Sequence, residues 1–362
     1  MTTSDKDFTV DKIKEEYKFV EESNFYEIYD EFNWECKNGS YTDNGASCLN
    51  DRSDDWTRFP EVNNLLKQLY SNLYRIYNTI AGNGNDYFDG SEDVKKMGYI
   101  YLNYWLYDKI VKGDFDDTKI EELYQGWKKR IQNKVNYKPS KPYIFNSLKK
   151  DEINKLRKIY AFSTILYENI NQFVTYNNNN NKYMDYFGEG LDEFISSINK
   201  CSSEKHTDNY CKEFKEFLNK CKDESLNAGI LIYHGNNGYS PDDSNKYLLS
   251  IETYENKPLY IILKDKKMLN FLKTSNFLSN KNRNTIAATS AVGSAIGLSS
   301  IFYYFYKFRP FGRTLSKGKG ENIVNINERA HDSLLHTPDT EHMPFKNREY
   351  KLAYHTFSDT QP

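Results

Sequence analysis

The sequence predicts a mainly α-helical protein, and three observations predict it. Apolar residues recur at helical spacing through most of the first 280 positions, and no stretch alternates apolar with polar residues convincingly. An aromatic content of 16% supplies rings for a helical core. Near the C-terminus, residues 285–306 carry no charge over 22 positions. The expected layout is a helical ectodomain over 1–280, one transmembrane helix over 285–306, and a polar, disordered cytoplasmic tail over 307–362.

Taken in order, Val62, Leu65, Leu66, Leu69, Leu73, Tyr77 and Ile80 form one stripe, which stops before the breaker run Gly82-Asn83-Gly84-Asn85. Met97, Tyr101, Tyr104, Trp105 and Ile110 predict a second helix. Ile120, Leu123, Tyr124, Trp127 and Ile131 predict a third. After the Pro139/Pro142 break, a longer fourth runs from Ile153 through Leu156, Ile159, Tyr160, Leu166 and Tyr167 to Ile170. Phe187, Leu191, Phe194, Ile195 and Ile198 mark a fifth, and Phe214, Phe217, Leu218 and Cys221 a sixth. The run Leu259 to Leu263 is short enough for a strand, but helix-like sequence flanks it on both sides. The asparagine run Asn177 to Asn181 and the stretch His234 to Lys246 are loops by composition.

Charge excludes one class of partner. With 49 Lys and Arg against 51 Asp and Glu, nothing global attracts a nucleic acid. The N-terminus has no uninterrupted apolar run of the kind a cleaved secretory signal needs. Cys36, Cys48, Cys201, Cys211 and Cys221 all precede residue 285, as thiols would if the two flanks of a membrane helix faced oxidising and reducing compartments. These five are disulfide candidates. Cys36 with Cys48 is the most local pair, and the other three leave a sulfur over or reach elsewhere.

No catalytic, cofactor or metal site is expected. The segment Asn83 to Lys96 is acidic and glycine-punctuated like a calcium loop. With Asp89-Gly90 in its fifth and sixth places, however, Lys96 takes the twelfth, where a bidentate carboxylate is needed. Lys317-Gly318-Lys319-Gly320 lacks phosphate-loop spacing. The six histidines form no metal-binding spacing, and no nucleophile elbow is present. Asn38-Gly39-Ser40 is a glycosylation sequon, meaningful only in a secretory lumen.

As a helix, residues 285–306 would measure roughly 33 Å, enough for a hydrocarbon core of about 30 Å. Lys281 and Arg283 bracket one end; Lys307, Arg309 and Arg313 bracket the other. The rings from Phe302 to Phe308 sit where an interfacial aromatic belt would lie, and Pro310 ends the helix. Basic residues near the C-flank and the one-sided cysteines place the domain outside and the tail inside. The lipid bilayer is thus the first expected partner. Gly293 and Gly297 form a G-x-x-x-G pair that would let two such helices approach and self-associate.

Several segments together resemble one family. They are Phe145-Asn146-Ser147-Leu148 with Asp151-Glu152-Ile153 and Leu156, Tyr186-Phe187-Gly188, Lys307-Phe308 with Pro310-Phe311-Gly312, and Asn347-Arg348-Glu349-Tyr350 with Tyr354-His355. The chain resembles the Plasmodium interspersed repeat superfamily, whose members in vivax-type malaria parasites are the variant Vir proteins. The resemblance implies a non-enzymatic variant antigen exported to the infected red cell, at its membrane or in parasite-induced membranes beneath. The implied roles are immune evasion and adhesion, with a host receptor or antibody as partner; the alternative is a structural or trafficking protein of the internal membranes. Residues 38–50, 83–93, 177–181 and 235–245 are then the loops expected to carry epitopes. One departure accompanies the resemblance. Similar sequences lead us to expect a cysteine near Tyr143, partnered near the Asn177 to Asn181 run, and this chain has none there.

Overall fold

A helix that is apolar on one stripe packs against a neighbour, whereas one that is apolar all round must be surrounded. Helix α4 (Ser91–Lys112) is of the second kind: Ile100, Leu102, Tyr104, Trp105, Leu106 and Ile110 point in all directions and are all buried. Three other helices, the short turn at Asp5–Phe8 and the π-turn at Phe162–Leu166 pack around it. The computed structural model describes residues 5–36, 43, 45–49, 56–82, 87–135, 143–176, 181–202, 208–226, 228–235 and 247–274.

The chain enters through two short helices, α1 (Val10–Glu16) and α2 (Asn24–Glu31). Ser23 starts α2, its side chain accepting from the Tyr26 N–H at 3.2 Å. Phe25, Ile28, Tyr29 and Phe32 fall at i, i+3, i+4 and i+7 and form the buried face. Rings dock this segment onto the body. Phe25 meets Tyr101 and Tyr104 at 5.4 Å each, and Phe8 stacks on Tyr186 at 4.5 Å.

Helix α3 (Pro60–Ile80) begins with proline at its first turn, where the missing N–H costs nothing, and packs on α4. Its C-terminus gives way at Gly82, whose φ of +70° only glycine adopts freely. Asp116 caps α5 (Asp117–Gly126), accepting from the Lys119 N–H at 2.9 Å. A π-helical turn at Trp127–Ile131 then leads into α6 (Gln132–Val135). Helix α7 (Lys150–Ala161) continues into a second π-turn, Phe162–Leu166, and the chain bends before α8 (Ile170–Thr175). The expected single helix from Ile153 to Ile170 is therefore two, separated at Tyr167–Asn169, with the Asn169 side chain donating to the Ile165 carbonyl at 2.9 Å.

Helix α9 (Asn181–Cys201) crosses α7 so closely that a Cβ on Gly190 would lie 2.2 Å from the Lys158 carbonyl oxygen. Only glycine fits there. Asp208 caps α10 (Asn209–Lys220), accepting from the Cys211 N–H at 2.7 Å.

The sequence reading is corrected after α10. Three strands, β1 (Ile230–His234), β2 (Tyr247–Tyr254) and β3 (Lys257–Leu263), form an antiparallel sheet of order β1-β3-β2. β2 and β3 make a hairpin in which Tyr254 pairs with Lys257, and the two residues between, Glu255 and Asn256, both have positive φ, at 49° and 60°. The run Leu259 to Leu263, short enough for a strand, is the core of β3. Strand β2 carries no such signal, because it is buried on both faces from Leu248 to Ile251 and lacks the apolar–polar alternation of a one-sided strand. Leu249 also bulges out of register between Leu248 and Ser250. Helix α11 (Lys266–Thr274) follows.

Where the resemblance leads us to expect a cysteine, Tyr143 is held by other means. Its N–H donates to the Tyr77 hydroxyl at 2.9 Å, its own hydroxyl donates to Asn103 Oδ1 at 2.5 Å, and its ring meets Trp127 edge-on at 5.5 Å.

Among the described residues, no helix is long and apolar enough to cross a membrane. The expected span at 285–306, with Gly293 and Gly297, and the tail after it lie outside the described residues.

Candidate functional site

The residues singled out by sequence fall in three places. Disulfides join Cys36 to Cys48 and Cys201 to Cys211. Cys221 is a buried thiol, and burial pushes its pKa up to about 12, which keeps it protonated and unreactive. Most of the four expected epitope loops lies outside the described residues. Among the described residues, the two disulfides lie apart in the chain, and Cys48 belongs to the expected loop 38–50.

Three carboxylates, Asp108 and Glu31 buried and Glu168 half-buried, hold the N-terminal helices. Asp108 of α4 accepts from the Val10 N–H at 3.4 Å, the Tyr29 hydroxyl at 2.8 Å and Arg157 Nη1 at 3.1 Å. Asp108 and Arg157 are completely inaccessible to solvent. Glu168 accepts from the Phe25 N–H at 3.2 Å and from the Tyr101 hydroxyl. Burial pushes it up to about 7, against the pull of those two donors. Glu31, in the last turn of α2, is the third, with Oε1 accepting from the Asp89 N–H at 3.3 Å. Burial pushes its pKa up to about 7 as well, only partly countered by the Asp89 N–H and by Arg75.

Arg75 explains why Glu31 keeps its own charge exposed to so little compensation. The guanidinium is directed at backbone: Nη2 donates to the Glu31 carbonyl at 3.0 Å and Nη1 to the Tyr87 carbonyl at 3.4 Å. Asn72 Nδ2 donates to the Phe32 carbonyl at 3.0 Å. Two residues of α3 thus satisfy the open carbonyls at the end of α2, where a positive charge also opposes the helix dipole. No ion pair joins the Glu31 carboxylate to a cation among the described residues, although the nearby charge of Arg75 favours its ionised form.

Glu31 lines a cleft of about 430 Å³, together with Glu21, Glu22, Glu27, Asp30 and Asp89. Tyr26 and Trp34 complete the wall. Glu31 is 6% exposed, while Trp34, at 56%, presents its ring to solvent. Glu21 pairs with Lys14 at 3.0 Å. Glu22, Glu27, Asp30 and the Asp89 side chain make no hydrogen bond or ion pair among the described residues. No group of three or more His, Cys, Asp or Glu among the described residues is placed to hold a metal ion.

A model of the Plasmodium vivax Vir protein family matches residues 23–250. The chain belongs to the Vir family. That match runs from α2 to the middle of β2, and so includes most of the cleft wall, both disulfides and helices α2 to α10 of this Vir protein. No curated protein and no solved structure matches the chain.

The sequence reading missed the cleft, though a signal was present. Glu27, Asp30, Glu31 and Trp34 stand at i, i+3, i+4 and i+7, one helical face of three carboxylates and a tryptophan beside the apolar face of the same helix.

Proposed function

We propose that this Vir protein is a non-catalytic variant surface antigen, exported to the infected red cell. The observation that carries the reading is the family match over residues 23–250, the stretch that holds helices α2 to α10. Residues 285–306 would anchor it in a bilayer, with the domain outside and the tail in the cytoplasm. Two disulfides in the domain suit an oxidising exterior. A buried helical core tolerates change in the loops that join its helices, and those loops would present the variable surface to antibody or to a host receptor. Gly293 and Gly297 would bring two membrane helices together, and replacing both with leucine should lower association in a membrane-helix dimerisation assay.

The test is protease treatment of intact infected cells, followed by detection of the domain and of the tail. Surface exposure gives loss of the domain with the tail retained. Full protection overturns the reading and assigns the chain to internal membranes, as a structural or trafficking protein.

A further inference from the structure

We propose that the cleft between α2 and the Asp89 turn is a recognition site for a basic segment of a partner protein, an extended stretch carrying arginine or lysine. Three observations converge on it. The first is unfilled charge: Glu22, Glu27, Asp30 and Asp89 are unpaired among the described residues, and mutual repulsion of carboxylates gathered on one face is unfavourable unless a cation joins them.

The second is Glu31. It is the only buried residue of the wall, it has a single hydrogen-bond donor, and its second carboxylate oxygen has no partner among the described residues. That oxygen faces the open cleft, so the carboxylate is partly desolvated, which disfavours its charge unless a cation approaches. The nearest guanidinium, Arg75, is directed to the carbonyls of Glu31 and Tyr87 instead. A cationic side chain entering the cleft would supply the missing partner.

The third is Trp34, exposed on the rim of an acidic cleft. An indole face beside carboxylates favours a cation that is also planar or carries an apolar stem, which describes arginine and lysine.

Geometry selects an extended segment over a single ion. The carboxylates do not converge on one point, as a divalent cation would require. Glu27 and the pair Asp30 and Glu31 lie on successive turns of α2, about 5.4 Å apart. Glu22 comes before the helix, and Asp89 reaches the cleft from a separate turn. Alternate side chains of an extended chain are roughly 6.6 Å apart, close enough for two cationic residues to meet two turns of acid. The tightest interaction would be at Glu31, with the outer carboxylates steering approach.

This inference concerns the domain itself and is independent of which compartment it faces. It is tested on the full chain purified in mild detergent. The probe is a capped tetra-arginine peptide, with capped tetra-glutamine as control, followed by calorimetry. Saturable one-to-one binding of tetra-arginine is expected, weakening as salt rises. The double substitution Glu27→Gln/Asp30→Asn, on exposed positions that leave the fold intact, should weaken it at least tenfold. Trp34→Ala should weaken it severalfold, and Glu31→Gln at least tenfold. Glu92→Gln/Glu189→Gln, exposed acids elsewhere, should leave it unchanged. Absence of saturable binding, equal loss in that control pair, or indifference to the cleft substitutions overturns the proposal. So does self-association of the chain that Glu27→Gln/Asp30→Asn abolishes, because the occupant is then a second copy.

Discussion

Asp108 and Glu31 are both buried carboxylates at the contact between the N-terminal helices and the body, and their surroundings are opposite. Asp108 receives three hydrogen bonds, one of them from a guanidinium as deeply buried as itself. Glu31 receives one, from a backbone N–H, and lines an open cleft. A buried charge that is paired and saturated is part of the scaffold, whereas one left short of partners beside a cavity is available to a ligand. The distinction separates a structural carboxylate from a recognition carboxylate within one interface.

The largest effect should come from breaking the saturated pair. Asp108→Asn removes the charge and leaves Arg157 buried without its carboxylate, and breaking a buried pair in this way typically costs about 3–5 kcal/mol. Urea unfolding of the full chain should show that loss. Asp108→Leu combined with Arg157→Met should recover most of it, because an apolar pair of similar volume removes both desolvation costs. If the double variant is no more stable than the single, the pair is favourable in its own right and the scaffold reading needs revising.

Glu168 is intermediate: two donors, no cation. Its rise from the ordinary glutamate value of 4.5 to about 7 corresponds to about 3 kcal/mol. The sign follows from proton counting. Between those two values the folded state holds a proton that the unfolded state has lost, so stability from this group is complete below the ordinary glutamate range. It declines as pH rises toward about 7 and changes little above. Unfolding measured from pH 5 to pH 8 should show this decline, and Glu168→Gln should flatten it. Identical pH profiles for the two proteins would mean that Glu168 is solvated more than its contacts indicate.

What the sequence revealed follows from how far apart the cooperating residues lie. The stripe from Val62 to Ile80 and that from Phe187 to Ile198 were legible as α3 and α9 because a helix is decided by neighbours three and four positions away. The pairing of Asp108 with Arg157, 49 positions apart, carries no local pattern. The sheet was illegible for a different reason, since burial on both faces erases the period of two in β2. Helices α1 and α2 were passed over because they are only 7 and 8 residues long, too short for a periodic signal to stand out. The cleft was partly visible, as the spacing of Glu27, Asp30, Glu31 and Trp34. What sequence could not supply was Asp89, which reaches the same cleft from a turn 58 positions beyond Glu31.

The smallest effect should fall on Glu31 and should have the opposite sign to that at Asp108. Glu31→Gln keeps an oxygen to accept the Asp89 N–H and removes a charge that burial disfavours. Because burial pushes the acid up to about 7, the wild-type side chain is largely protonated at pH 5, and there the substitution should change stability little. At pH 8 the carboxylate is charged in the folded state, and the glutamine should be more stable by about 1 kcal/mol, the cleft's open side moderating the cost of burial. The measurement is the difference in unfolding free energy between the two proteins at the two pH values. A variant that is less stable at pH 8 would show that the charge is already neutralised within the fold, and would remove the reason to expect a cation in the cleft. A variant that gains stability while losing tetra-arginine would show stability given up for binding at the one buried residue of the cleft wall.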